Sequence, residues 1–257
     1  MTDALRLAVG TLTRWPIPAP RTVDRAAARG AMMLAPWIGL ALGTLAGAIA
    51  WLGGRWHVSS LVVATVAIAV LAHASRGLHL DGLADTADGL GSGRDAATAL
   101  DIMRRGDVGP MGAATLALTL LLQVVTLDQV LSIRGPVALG VAVATSRLAL
   151  TVACTPALAA ARPGGLGAAV AGSVPRSAAI ANTVLVALVS VALLGVPGAP
   201  VPDAAIAAAA TVAGGLLAAA VILRAAHRRL GGITGDVLGA AVELALAGAL
   251  LGLCLVD

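Results

Sequence analysis

Three aspartates stand four and then three residues apart in the run His79-Leu80-Asp81-Gly82-Leu83-Ala84-Asp85-Thr86-Ala87-Asp88-Gly89. Wound as a helix, this run puts Asp81, Asp85 and Asp88 within about 60° of arc. Leu80, Leu83, Ala87 and Leu90 take the other side. Like charges one turn apart destabilise a helix, so such a stripe is tolerable when a cation neutralises it. Oxygen-only donors favour a hard ion, and Mg²⁺ commonly completes its shell with water and substrate phosphates. Asp81, Asp85 and Asp88 are therefore candidate metal ligands and catalytic carboxylates. Gly82 and Gly89 leave room for a phosphate or a neighbouring backbone to approach. The competing reading is a solvated helix face, although such a face normally mixes signs. His79 projects away from the stripe and reads as a packing or hydrogen-bonding residue rather than a ligand.

A second acidic segment lies near the C-terminus. Gly231-Gly232-Ile233-Thr234-Gly235-Asp236 opens an apolar run, and Glu243, the only glutamate, follows two helical turns later on the face of Asp236. Asp236 is either a site carboxylate or a helix N-terminal charge with Thr234 as the cap. An ionisable residue deep in an apolar run is a functional candidate by default. Arg147 is the other one, so Glu243 and Arg147 form a buried pair or act directly in catalysis. Arg104 and Arg105 close a short helix expected over 96–105, with Ser92 or Asp95 as its N-cap. They serve either as a diphosphate clamp or as dipole caps. Gly164-Gly165-Leu166-Gly167, after Arg162, offers backbone amides to an anion or is only a flexible connection. Asp128 reads as interfacial.

The elements that must position these residues are membrane helices. Of 257 residues, 59% are hydrophobic and 12% charged, with a mean hydropathy of +0.95. A soluble domain carries about 25% charged residues, so the bilayer must be the solvent for most of this surface. Seven apolar stretches are long enough to cross it as helices: 31–53, 58–74, 111–131, 136–155, 178–198, 203–223 and 237–256. The second is short. Of the 17 basic residues, all arginines, only Arg55, Arg134 and Arg147 fall outside segments that share the side of the N-terminus. This asymmetry predicts a cytoplasmic N-terminus. It also accounts for the pI near 10.8 without nucleic acid. The expected fold is an all-α polytopic bundle in one integral membrane domain over 1–257. Its one long connection, 75–110, holds the aspartate stripe as an amphipathic helix facing the cell interior. Trp15, Trp37, Trp51 and Trp56 read as interfacial anchors. Cys154 and Cys254 read as inert core thiols, and no cleavable signal peptide is expected.

Several segments together resemble the cobalamin synthase family, the adenosylcobinamide-GDP ribazoletransferases. They are Thr13-Arg14-Trp15-Pro16-Ile17-Pro18, the His79–Gly89 run, Ile102-Met103-Arg104, and Gly231 through Ala240 with Glu243. Ser146-Arg147 and Arg162 with Gly165-Leu166-Gly167 also look like family positions. The likeness runs in order over nearly the whole chain, and the HLDGLADTADG run is its most specific part. The resemblance implies a Mg²⁺-dependent transfer at the cytoplasmic face of the cell membrane. In it, a ribose hydroxyl of α-ribazole, or of its 5′-phosphate, attacks the cobinamide-proximal phosphorus of adenosylcobinamide-GDP. GMP leaves, and adenosylcobalamin or its 5′-phosphate is formed. It implies Asp81, Asp85, Asp88, Asp236 and Glu243 in catalysis, and Arg14, Gly82, Arg104, Arg147, Arg162 and Thr234 in substrate binding. Association with other enzymes of the pathway is a further expectation. The chain departs from the family pattern at Leu12 and Trp15, and at Asp107, where many members carry a basic residue.

Two other readings compete. A CDP-alcohol phosphotransferase of lipid synthesis is also aspartate-rich, but it expects Ala-Arg after its Asp-Gly-x-x, where Asp85 follows Ala84 here. A cation-coupled transporter predicts ionisable residues near mid-bilayer on several helices, whereas the acids here cluster in one connection.

Overall fold

The computed structural model describes every residue except Pro197 and Asp257. Eleven helices appear among the described residues, and no strands: α1 (Asp3–Leu12), α2 (Arg25–Arg55), α3 (Ser60–Ala74), α4 (Leu78–Gly91), α5 (Ala96–Ile102), α6 (Pro110–Arg134), α7 (Val137–Ala153), α8 (Gly165–Val170), α9 (Arg176–Gly195), α10 (Val201–Leu230) and α11 (Gly235–Cys254). The all-α expectation is met. Each apolar stretch read from the sequence coincides with a helix. Five of these helices (α2, α6, α9, α10 and α11) are long and apolar enough to cross a membrane. A sixth crossing results if α3 and α4, bent by 88° at their junction, count as one broken span. At 17 residues α7 is shorter, and nearly all of it is buried.

Small residues let the central helices approach closely, which is how helices associate where lipid supplies no hydrophobic drive. Gly39, Gly43 and Gly47 lie one turn apart on α2. A methyl group on any of them would sit 2.7–2.8 Å from the α7 side, meeting Val143 O, Gly140 Cα and Pro136 O respectively. Pro36 interrupts the α2 hydrogen-bond ladder and leaves the Met32 carbonyl without its partner. The bundle supplies replacements. Thr151 Oγ1 donates to Met32 O at 2.7 Å, and Asn182 Nδ2 donates to Met33 O at 3.1 Å. Trp37 is not at a helix edge as expected. It lies within α2 and donates its indole N–H to Asn182 Oδ1 at 3.2 Å. Trp51 and Trp56, at the end of α2, are exposed. Cys154 is buried, and Cys254 donates weakly to Thr126 O at 3.5 Å.

Helix α11 is the hub, packed against α10, α4, α7 and α6. Helix α4 leaves α3 nearly at a right angle and lies across the start of α11, so the acidic stripe is not part of a straight span.

Candidate active site

The two acidic segments, some 150 residues apart in sequence, meet where α4 crosses the first turn of α11. Gly82 makes the crossing possible: a Cβ there would lie 2.6 Å from the Asp236 carbonyl oxygen and 2.9 Å from its Cα. Of the two partners expected to approach Gly82, backbone or phosphate, it is the backbone that does. Gly239 repeats the device against the backbone of His79, at 3.1 Å. Asp81 and Asp236 consequently line one cavity of about 310 Å³, together with Arg76, His79, Arg162 and an apolar wall that includes Leu12, Met32, Leu150, Leu166 and Leu238.

Asp236 is fixed by its local structure. Thr234 caps α11, accepting from Val237 N at 3.2 Å, and donates its hydroxyl to Asp236 Oδ2 at 3.2 Å. Thr234 is 1% exposed, so it aligns Asp236 rather than facing a substrate. The chain after α7 pairs with the segment before α11 through Ile233 N to Ala159 O and Ala161 N to Ile233 O, both 2.9 Å. This pairing brings Arg162 to Asp236, with Nη2 3.5 Å from Oδ2. The other terminal nitrogen of Arg162, Nη1, is buried without a hydrogen-bond partner. The guanidinium thus keeps donor capacity beyond its contact with Asp236. The glycine run beside it is used for packing and turning rather than as a nest. Gly164 and Gly165 take positive φ, and Gly167 fits against the backbone of Thr234.

Along the stripe the three aspartates differ. Asp81 is exposed at the cavity, and Asp85 is 9% exposed. Burial, followed by the charges of Asp81, Asp236, Asp88 and Asp107, pushes the Asp85 carboxyl up to about 6. Asp88 is turned the other way. Its oxygens accept from Gly109 N at 2.7 Å and Gly112 N at 2.9 Å, capping α6 and fastening α4 to it. Among the described residues no three His, Cys, Asp or Glu side chains converge into a ready-made metal cage. The donor chemistry nevertheless fits a hard cation. Asp81, Asp85 and Asp236 offer only oxygen donors, the kind that a hard cation takes.

Beneath the cavity lies a buried polar cluster. Glu243 accepts from Gln123 Nε2 at both its carboxylate (2.9 Å) and its backbone carbonyl (3.1 Å), and His79 Nδ1 stands 3.9 Å from it. Arg147, 2% exposed, faces the same small internal cavity but forms no direct ion pair with Glu243, and its Nη1 donates to Ser146 Oγ at 2.7 Å. The expected pair is thus a charge interaction within a shared cluster, and neither residue lines the larger cavity. Gln123 went unread in the sequence, although an amide in the middle of the run Leu120–Val125 is a signal of buried partnership.

Two expected substrate residues lie elsewhere. Arg14 is exposed in an open groove on the far side of Arg76. Arg104 lies beyond the end of α5, more than half exposed, with Asp101 3.7 Å away. Helix α5 stops at Ile102, short of the expected 105, and Asp95 is its N-cap, accepting from Thr98 N at 3.0 Å.

Comparison with known proteins gives one consistent answer. The family model described as cobalamin-5-phosphate synthase matches residues 4–254. A protein of Nocardioides sp. named adenosylcobinamide-GDP ribazoletransferase is 41% identical over 251 residues, covering 98% of both chains. Proteins of the same name from Frankia casuarinae and Stutzerimonas stutzeri are 43% and 37% identical, over 96% and 98% of this chain and 92% and 97% of theirs. No solved structure matches. Motifs, helical architecture and relatives agree: the chain belongs to the cobalamin-5-phosphate synthase family.

Proposed function

We propose that this enzyme of cobalamin synthesis joins adenosylcobinamide-GDP to α-ribazole, or to α-ribazole 5′-phosphate, and releases GMP. The names of the relatives support the two substrate classes. The observation that carries the chemical reading is the meeting of Asp81, from the α4 stripe, with Asp236 and Arg162 at one cavity. A ribose hydroxyl forms a new bond to the cobinamide-proximal phosphorus, the bond from that phosphorus to the bridging oxygen breaks, and GMP carries the electron pair away. Asp236 lines the cavity and is aligned by Thr234, which suits it to take the hydroxyl proton. Arg162, with its free arm, suits the negative charge that grows on the phosphoryl oxygens. Asp81 and Asp85 would hold Mg²⁺, with Asp88 as the brace that keeps α4 in place. Such an ion would neutralise the diphosphate and assist GMP departure. Glu243, Arg147 and Gln123 support the site from below rather than touch the reacting atoms.

The same reading places the enzyme in the cell (inner or plasma) membrane, with seven crossings, a cytoplasmic N-terminus and the cavity facing the cytoplasm, where nucleotide substrates are found. The arginine asymmetry of the sequence supports this orientation. Other enzymes of the pathway are candidate partners on that face. The test is an assay of purified protein with adenosylcobinamide-GDP and α-ribazole, after chelation and after Mg²⁺ is restored. Product formation only with the metal is the expected result, and equal product without it excludes the metal part of the reading.

A further inference from the structure

Two cavities meet at one side chain. Arg76 lines the space of about 310 Å³ and also a more open groove of about 580 Å³ bounded by Arg14, His73, Gly77 and Leu80. Its backbone sits at φ 58°, a region that non-glycine residues enter rarely and at a cost. Gly77 follows at φ 69°, and together the two residues make the turn that throws α4 across α11. That turn does not need an arginine, since glycine would adopt the same conformation without strain. The guanidinium is not consumed by the fold either. Nη2 donates to Gly10 O at 2.6 Å, and among the described residues no carboxylate lies within ion-pair distance. The chain thus holds a strained, exposed cation with most of its donors free at the boundary between two spaces.

The spaces differ in what they admit. The less open one, at the small end of the range for organic ligands, has a leucine-rich wall with Met32 and the carboxylates of Asp81 and Asp236 in its lining, which suits a nucleoside: aromatic base against the apolar wall, ribose toward Asp236. A corrinoid is several times larger and fits only the open side. In a displacement at phosphorus, the reacting phosphate is the one group that touches both substrates, so its binding residue must be reachable from both spaces. We propose that Arg76 is that residue: it grips the diphosphate of the corrinoid nucleotide where the groove meets the nucleoside cavity, with Arg14 further along the groove. A guanidinium supplies the forked donors this grip needs. The inference rests on the transfer proposed above.

The experiment is steady-state kinetics of Arg76→Gly, with both substrates varied and thermal stability measured in parallel. Turnover by the wild-type protein tests the underlying reaction, and a wild type that makes no product would defeat that reading rather than this one. The variant is expected to melt near the wild-type temperature, the relief of left-handed backbone strain offsetting the lost contact with Gly10 O. KM for adenosylcobinamide-GDP is expected to rise by about 10- to 100-fold, the loss of a charge-assisted contact, with KM for α-ribazole within twofold. Unchanged kinetics, or an equal rise in both KM values, overturns the assignment. Should the glycine variant not fold, Arg76→Lys carries the test: it keeps the charge and loses the fork. A selective rise in the same KM of at least about fivefold supports the grip, and wild-type values refute it.

Discussion

Adding one methyl group at Gly82 tests how the site is assembled. The Cβ of alanine would stand 2.6 Å from the Asp236 carbonyl oxygen, whereas ordinary contacts begin at 3.4 Å, so α4 and α11 must separate by about 0.8 Å. The obstacle is backbone on both sides, so no side chain can rotate away. Overpacking of this kind costs about 1–3 kcal/mol in stability. A misplacement near 1 Å costs about 100-fold in rate, and here it separates Asp81 and Asp85 from Asp236 directly. The control is Gly54→Ala, at the end of α2, where the new Cβ meets nothing within 4 Å. Turnover and melting temperature of both variants in detergent make the assay. Gly82→Ala is expected to lose about two orders of magnitude in kcat/KM while remaining folded, and Gly54→Ala to match the wild type. A Gly82→Ala enzyme with wild-type turnover would show that the α4–α11 contact does not set the geometry of the reaction.

Other consequences are narrower. Asp85 is pushed up to about 6, so its carboxylate is lost as pH falls through that value, and the Mg²⁺ concentration for half-maximal turnover should climb steeply below pH about 6. In Asp81→Asn, with one of the raising charges removed, Asp85 should titrate lower, and Mn²⁺ competition against protons reads this even in an inactive variant. Asp88→Ala removes both acceptors from the first turn of α6 and should lower stability by about 1–2 kcal/mol, read as a fall in melting temperature. Gln123→Leu strips Glu243 of its hydrogen-bond donor and should cost about 1–3 kcal/mol, read in the same way, with KM for both substrates nearly unchanged.

The sequence was most legible where a physical period dominates. Apolar stretches longer than a bilayer is thick announced the helices, and the i, i+4, i+7 aspartates announced α4 and its acidic face. Thr234 was readable as a cap because its spacing to Val237 is local. What stayed hidden depends on contacts between distant segments. Asp81, Asp85 and Asp88 look equivalent on a helical wheel, yet Asp88 is turned to Gly109 and Gly112, amides whose position only the packing of α6 decides. Gly82 left room for a phosphate or a backbone, and only the packing of α4 on α11 decides that it is the backbone. Arg76 looked like one topogenic arginine among many, because a positive φ and a place between two cavities leave no trace in composition. The glycine ridge of α2 also went unread, although the four-residue spacing of Gly39, Gly43 and Gly47 is a signal of close helix approach.

The central proposal is that Asp81 and Asp85 hold one divalent cation beside Asp236. Electron paramagnetic resonance of Mn²⁺ titrated into the purified wild type, Asp81→Asn and Asp85→Asn tests it without reference to turnover. The account predicts a saturable site in the wild type that Mg²⁺ displaces and that both substitutions weaken by at least about tenfold. Equal Mn²⁺ binding by all three proteins would contradict it.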